Sequence, residues 1–561
     1  MFLPTRPRRF TVSLPVELML LACGLFWVAL VNRAFFAAAL QGRETADVSA
    51  WTFGGALAVG LVALHFLLLA PLANRYTVKP LLALLLVATA FATHFMQQFG
   101  VYLDPSMLRN MLRTDVQEAR ELFSWVMLPR LLLYAGLPLL LLWRVEPLRW
   151  RWPRALAVRL LSMGLALLVL VAAVLSMYQP LASMMRNQRD MRYLITPANY
   201  LWSLSSVLAS EVRGQAGPRK AIGLDATLGP TWAARQRPAV LVIVVGETAR
   251  AANWGLNAYA RQTTPRLAAL SALAAKTAMA EHGPIINFPD AHSCGTNTET
   301  SVPCMFAPVG RRDYDEATIR GSQSLLHVLA RAGVGVNWRD NQSGCKGVCD
   351  GLPSQSVLEI NPPGLCTDGR CLDEGLLHGL PELLRQARGP QVLVLHQLGN
   401  HGPSYFRRYP SAFARFQPAC EKDDLRSCSV EQIVNAYDNA LLYTDEVLAR
   451  LIEQLQAQQA DVDSAVVYVS DHGESLGENN LFLHGLPYAI APDVQTHVPM
   501  LMWFSKGFAK ELGLNLDCLQ QRARQKVAHD HLFHTTLGLL DVRTSLYDKA
   551  WDLSLACRRA P

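Results

Sequence analysis

The sequence predicts a two-part protein, a bundle of five membrane-crossing helices followed by a large α/β domain. Five apolar runs occupy residues 14–36, 52–73, 80–98, 126–143 and 156–177, each near the roughly 20 residues an α-helix needs to cross a bilayer. Charge and cysteine usage both change where the fifth run ends. Before residue 180 there are 16 Lys and Arg against 8 Asp and Glu, whereas the rest is close to neutral, and of 11 cysteines only Cys23 precedes residue 290. Beyond that point the short β-branched runs Leu241 to Val245, Val392 to Leu395 and Ala465 to Val469 alternate with helical patterns, as buried parallel strands do in an α/β sheet.

Composition narrows the function classes. With 561 residues, 51% hydrophobic, 17% charged and a mean hydropathy of +0.16, the chain is too long for one ordinary domain and too apolar for a disordered or cytosolic protein. The basic excess belongs to the apolar half, so it reads as arginines in loops beside membrane spans and argues against nucleic acid as a partner.

The spans are justified in order. Arg6, Arg8 and Arg9 precede the first run, which therefore reads as a retained anchor. With the N-terminus inside, the cytoplasmic loops add Arg75, Lys79, Arg144, Arg149, Arg151 and Arg154, against Arg43, Arg109, Arg113 and Arg120 outside. That asymmetry satisfies the positive-inside rule, and an odd number of spans places residues 178–561 outside. Ten cysteines in the same half agree, because disulfides form in an oxidising compartment. The close pairs are Cys294/Cys304, Cys345/Cys349, Cys366/Cys371 and Cys420/Cys428, leaving Cys518 and Cys557 as a fifth; no clean CxxC pair supports a zinc knuckle. His65 and His94 fall inside spans and read as packed neutral imidazoles. Tyr102 to Phe123, apolar at near-helical spacing, reads as one amphipathic helix at the membrane surface. The expected organisation is a transmembrane domain over 1–178, an interfacial helix and linker over 179–237, and a catalytic domain over 238–561.

Chemistry collects where the three strands end. Gly246-Glu247-Thr248 follows the first, His396 to Gly402 the second, and Ser470-Asp471-His472-Gly473-Glu474 the third. Ligands of open α/β sheets bind beyond the carboxyl ends of the strands, so Glu247, Asp471 and His472 are expected to converge. Two carboxylates and an imidazole suit Zn²⁺ with one position left over. A hydroxyl from Cys294-Gly295-Thr296-Asn297-Thr298-Glu299-Thr300-Ser301 would fill that position and serve as nucleophile. Spacing alone does not choose between Thr296, Thr298 and Thr300.

The stretches VVGETAR (244–250), SCGTNTETSVPCMF (293–306), WRDNQSGCKGV (338–348), HQLGNHGP (396–403) and SDHGESLGENNLFLHGLPY (470–488) resemble those of the phosphoethanolamine transferases that modify lipid A, including the mobile colistin-resistance enzymes. The resemblance runs over nearly the whole chain. It implies an alkaline-phosphatase and sulfatase fold for the outer domain. It also implies zinc ligands at Glu247, Thr298, Asp471 and His472, with Thr298 as the residue that becomes phosphoethanolamine-bound. Further matches are His401 and His484 as substrate or second-zinc histidines, Ser343 and Lys346 as phosphate contacts, and Asn110, Thr114 and Glu118 as head-group contacts. Spacing of i, i+4 and i+8 puts the last three on one face of a helix. Family disulfides match Cys294/Cys304, Cys366/Cys371 and Cys420/Cys428.

No role follows for His292 and Glu299, which read as solvated neighbours of the nucleophile loop. His529, His531 and His534 read as packing and helix capping, and Glu474 as a carboxylate supporting the zinc ligands. The expected reaction is ping-pong transfer from phosphatidylethanolamine to a lipid A phosphate in the bacterial inner membrane, with at least one zinc, by a monomer whose partners are the two lipids. The reduced negative charge of lipid A would weaken polymyxin binding. The competing readings are a glycerol-phosphate transferase like the lipoteichoic-acid synthases, a sulfatase or phosphatase, and a metal-free scaffold. Within the preferred branch, an inner-core heptose or a periplasmic glucan is the alternative acceptor. A reporter active only in the cytoplasm, fused after Pro561, is expected to stay silent; activity there would reverse the assigned topology.

Overall fold

A computed structural model describes residues 11–41, 48–114, 116–122, 125–187, 189–215, 219–276, 283–367 and 369–559. Arg6, Arg8, Arg9 and Arg43, used above for orientation, lie outside the described residues. The chain forms two compact units, Met1–Leu108 with Phe123–Leu208, and Arg109–Leu122 with Ala209–Pro561.

The first unit is helical. Val48–Leu69, Val78–Phe99, Met127–Arg144 and Trp152–Ser176 are each long and apolar enough to cross a membrane, and Val16–Val31 with Arg33–Ala39 makes a fifth span bent by 61°. The bend falls at Asn32, whose side-chain amide donates to the Trp27 carbonyl at 3.1 Å and to the Thr196 carbonyl at 2.8 Å, while its oxygen accepts from the Thr196 amide at 2.7 Å. The Asn32 backbone amide also bonds the Trp27 carbonyl, at 2.9 Å, closing a π-turn over Trp27–Val31, and this bulge with the side-chain bonds of Asn32 turns the axis. Leu160, Leu161, Leu165 and Leu168 on the last span remain exposed, as lipid-facing side chains are. His65 is buried edge-on to Trp27, and Arg130 lies 3.3 Å from His94 Nδ1. Both histidines are packed, as expected.

The second unit is built on an eight-stranded sheet. In chain order its strands are β1 (Ala239–Gly246), β2 (Ile286–His292), β3 (Gly335–Asp340), β4 (Ser354–Ser356), β5 (Pro390–His396), β6 (Asp463–Ser470), β7 (His497–Phe504) and β8 (Val527–Ala528). The order across the sheet is β8-β2-β7-β6-β1-β5-β3-β4, and only β7 runs against its neighbours. The three strands read from sequence, β6, β1 and β5, are adjacent and parallel at its centre. Every residue of β1 and β6 is buried, which explains why they read as unbroken apolar runs rather than as alternation. The register pairs Ser470 with Gly246 and His396 with Val245, so the chain leaves all three strands at one level.

The amphipathic stretch after the third span differs from expectation. It forms two helices, Pro105–Arg113 and Val116–Glu121. Thr114 ends the first by donating its hydroxyl to the Asn110 carbonyl at 2.9 Å, a side-chain bond that competes with continued helix. Asn110, Thr114 and Glu118 therefore do not share the face of one helix. Residues 109–122 belong to the second unit.

All ten cysteines after residue 290 are bridged in the five pairs expected, Cys294–Cys304, Cys345–Cys349, Cys366–Cys371, Cys420–Cys428 and Cys518–Cys557, and Cys23 is the free one. Alkylation of the unfolded, unreduced protein is expected to label Cys23 alone. Labelling of several later cysteines would contradict the oxidised assignment.

Candidate active site

Glu247, Asp471 and His472 follow directly on β1 and β6, and the shared register brings them together with no solvent exposure beyond 1%. One ligand atom from each lies within 4.8 Å of the others. His472 Nε2 stands 3.4 Å from Glu247 Oε1 and 3.4 Å from Asp471 Oδ2. His472 Nδ1 lies 2.9 Å from the Gly473 carbonyl; because a carbonyl only accepts, that nitrogen carries a proton, and Nε2 is the ring nitrogen turned toward the cluster.

Thr298 completes the group. Asn297 caps the helix Thr298–Met305 by accepting from the Thr300 amide, which places Thr298 in the first turn, at the positive end of the helix dipole. Its hydroxyl donates to Glu247 Oε2 at 3.1 Å and lies 3.4 Å from His472 Nε2. Of the three threonines left open by spacing, Thr298 is the one facing the carboxylates. Thr296 donates to the Leu486 carbonyl at 2.6 Å.

The charges in this pocket are mutually dependent. Burial, and then the charge of Glu247, push Asp471 up to about 6. Burial would raise Glu247 as well, but the hydrogen bond and charge of His472, followed by His401 and His484, hold it well below the ordinary carboxylate range. His472 is opposed by burial, yet Asp471 and Glu247 raise it to about 9. Asp471 Oδ1 accepts from the Thr248 and His472 amides, whereas Oδ2 accepts no hydrogen bond among the described residues. A buried carboxylate oxygen without a donor, beside a second carboxylate and an imidazole nitrogen that can give up its proton, is the environment that a dication satisfies. The residues fit a zinc ion.

The surrounding shell contains residues that sequence reasoning passed over. Gln342 donates from its side chain to Glu247 Oε2 at 2.8 Å. Its loop is shaped by Asp340, whose Oδ2 accepts from the Gln342 and Gly344 amides and whose Oδ1 lies 2.8 Å from His396 Nδ1. On the other side, Gly399 has φ +50°, and a Cβ there would lie 2.7 Å from the Glu247 carbonyl. Only glycine lets the 397–400 loop close over that backbone.

Lys346 donates to Ser343 Oγ at 2.6 Å, and both line a hollow of about 420 Å³ with Arg113, Arg219, Gly347 and Asp350. His401 lines a separate cavity of about 70 Å³ together with Gln342, Glu121 and Arg408. His484 faces His472 with ring centroids 4.3 Å apart, and His401 at 5.9 Å. Glu474 lies 3.2 Å from His484 Nδ1, and burial raises its carboxyl well above the usual range. His529 is structural, accepting from the Cys294 amide and donating to the Ser470 carbonyl. His531 packs on Trp551, and His534 accepts from the Asp548 amide.

Glu299 corrects the expectation of a solvated residue. It is completely buried and pairs with Arg113 at 2.5 Å and Arg320 at 3.0 Å. Arg320 also pairs with Glu316 at 3.0 Å, and Glu316 with Arg109. At the other end of the same segment, Glu121 pairs with Arg408 at 2.5 Å and with Arg370, and Arg408 donates to the His401 carbonyl at 2.7 Å. Thus 109–122, which carries Asn110 and Thr114, is fastened at one end to Glu299 in the Thr298–Met305 helix and at the other to the His401 loop. The side chain of Glu118 lies outside the described residues.

Known proteins share this construction. Residues 239–542 match the Sulfatase family model, and residues 61–212 match the model described as phosphoethanolamine transferase EptA/EptB. The chain is 38% identical over 491 residues to phosphoethanolamine transferase EptA of Escherichia coli K12, covering 86% of each protein. It is 34% identical over 530 residues to phosphatidylethanolamine transferase Mcr-1 of Escherichia coli, covering 92% of this chain and 93% of the relative. Among solved structures, the integral membrane protein lipooligosaccharide phosphoethanolamine transferase A of Neisseria meningitidis aligns with a TM-score of 0.90 at 37% identity, covering 98% of this chain and all of that one. Its soluble domain alone aligns with a TM-score of 0.57 at 45% identity, covering 61% of this chain and 99% of that one. A sulfatase-type sheet with buried carboxylates at its strand ends, joined to a span-forming helical unit and matched over most of its length, therefore belongs to the phosphoethanolamine transferase family.

Proposed function

We propose that this inner-membrane enzyme transfers phosphoethanolamine from phosphatidylethanolamine to a phosphate of lipid A in two steps, with Thr298 as the covalent carrier. The observation that supports this most is the Thr298 hydroxyl set within hydrogen-bonding range of Glu247 and His472, in a pocket whose carboxylates call for a cation. Glu247, Asp471, His472 and Thr298 would hold zinc. When bound, zinc lowers the pKa of a hydroxyl and offsets charge on phosphoryl oxygens.

In the first step Thr298 Oγ1 bonds to phosphorus, the bond from phosphorus to the glycerol oxygen breaks, and diacylglycerol leaves with a proton on that oxygen. Glu247 Oε2 already accepts the threonine proton. In the second step an oxygen of the lipid A phosphate monoanion bonds to phosphorus, the bond to Thr298 Oγ1 breaks, and the proton that this phosphate gives up restores the hydroxyl. Little covalent chemistry is required of the protein beyond positioning and charge. Lys346 with Ser343 supplies fixed positive charge for phosphoryl oxygens, His484 stands against His472 with His401 beside it, and Asn110, Thr114 and Glu118 hold the donor head group. The added ammonium lowers the negative charge of lipid A, so resistance to cationic peptides follows.

Thr298→Ala is expected to abolish transfer, and Thr298→Ser to keep part of it. Wild-type enzyme given phosphatidylethanolamine without acceptor should yield a Cys294–Cys304 peptide heavier by one phosphoethanolamine group. An adduct on Thr296 or Thr300 would reassign the carrier, and wild-type turnover by Thr298→Ala would reject the covalent step. Asp471→Ala should fold, as judged by an unchanged disulfide pattern, and lose its tightly held zinc by elemental analysis. Full zinc retention there would place the metal elsewhere.

A further inference from the structure

A second cluster of metal-ligand chemistry lies outside the site described above. In β2, Asp290 and His292 are two residues apart and share the outer face of the strand, and His497, which begins β7, stands directly opposite His292 in the antiparallel pair. The two imidazoles stack with centroids 5.0 Å apart and planes within 8°. One ligand atom from each of Asp290, His292 and His497 lies within 4.8 Å of the others, and all three are partly exposed.

The hydrogen bonds around this cluster leave a place for positive charge. His497 Nε2 lies 2.8 Å from the Pro289 carbonyl, so that nitrogen is the donor and Nδ1 holds a lone pair. That lone pair faces Asp493 Oδ2 at 3.2 Å, acceptor against acceptor. His292 Nε2 lies 2.8 Å from Asp290 Oδ1. That contact needs only the one proton of a neutral ring, on Nε2, which leaves His292 Nδ1 with a lone pair as well. One dication serves both lone pairs and the carboxylates together.

We propose that Asp290, His292 and His497 form an accessory, solvent-reachable site for a borderline divalent transition metal, zinc above all. Two imidazoles with one carboxylate select zinc, copper or nickel over magnesium and calcium, which take oxygen shells. Partial exposure lets the side chains draw in to coordination distance. The location gives such an ion mechanical consequence. Ser293 donates its amide to the Thr496 carbonyl at 2.8 Å, and the Gly473 and Glu474 amides donate to the Gln495 and Val494 carbonyls at 3.0 and 2.9 Å. A metal joining 290–292 to His497 therefore fastens the two backbone segments from which the nucleophile loop and the Asp471–Glu474 loop are hung. The proposal is independent of the assignment of zinc to the transfer site.

The test is equilibrium dialysis of full-length, detergent-solubilised enzyme against micromolar Zn²⁺, with melting temperature read with and without added zinc. The double variant His292→Ala/His497→Ala should bind one zinc fewer per chain than wild type and lose the zinc-induced rise in melting temperature, while melting as wild type without added zinc. Asp290→Asn, which preserves shape, should weaken the same zinc, whereas Asp471→Ala should retain it. Equal zinc uptake by wild type and the double variant overturns the proposal. So does an added zinc that Asp471→Ala abolishes and the double variant keeps.

Discussion

Two carboxylates buried side by side are the constraint around which the catalytic unit is arranged. The pairing of Ser470 with Gly246 brings Glu247 and Asp471 out of adjacent strands at the same height, away from water. Desolvation costs several kcal/mol for each such ion when nothing compensates it. The protein compensates in part, with Gln342 and the Thr298 hydroxyl on Glu247, two backbone amides on Asp471, and an imidazole between them. The uncapped Asp471 oxygen marks where compensation stops short. A pocket that is incomplete without a cation is also one in which charge developing on a phosphoryl group meets preorganised partners rather than reorienting solvent.

A second set of charges decides where residues 109–122 sit. Arg109, Arg113 and Glu121 lie on two short helices, Pro105–Arg113 and Val116–Glu121. Glu299 makes the difference. It is fully buried one residue beyond Thr298, where a carboxylate is costly to leave without its cationic partners. The price of burying that carboxylate thus couples the position of Thr298 to that of Asn110 and Thr114. Glu121 does the same for the His401 loop through Arg408.

What could be read from the sequence divides along the range of the interactions. The central strands were legible because burial on both faces leaves continuous β-branched runs, and Glu247, Asp471 and His472 were legible because parallel strands end at a common edge. Four of the five disulfides join cysteines no more than 10 residues apart, so proximity in sequence revealed them. Thr298 needed the family resemblance, since its neighbours offer the same hydroxyl. Gln342 and Glu299 stayed hidden because their partners stand 95 and 186 residues away, with no local pattern to betray them. The break at Thr114 and the bend at Asn32 were missed for a related reason. Apolar periodicity runs through both, and it does not register a side chain that bonds a backbone carbonyl.

The catalytic unit is discontinuous in sequence, because residues 109–122 are made between the third and fourth spans. This bears on how the enzyme comes into being. During synthesis Arg113 emerges 186 residues ahead of Glu299, so the loop reaches the far side of the membrane long before its counter-charges exist. The active site therefore closes late, when a sheet assembled from the C-terminal half captures a strand of chain already tethered at both ends to the bilayer. Proteolytic release of the C-terminal half would preserve the sheet, the bridges and the metal ligands. It would also leave Glu299 with Arg320 alone and Arg408 without Glu121, two buried charges stripped of partners that only the membrane-tethered segment supplies.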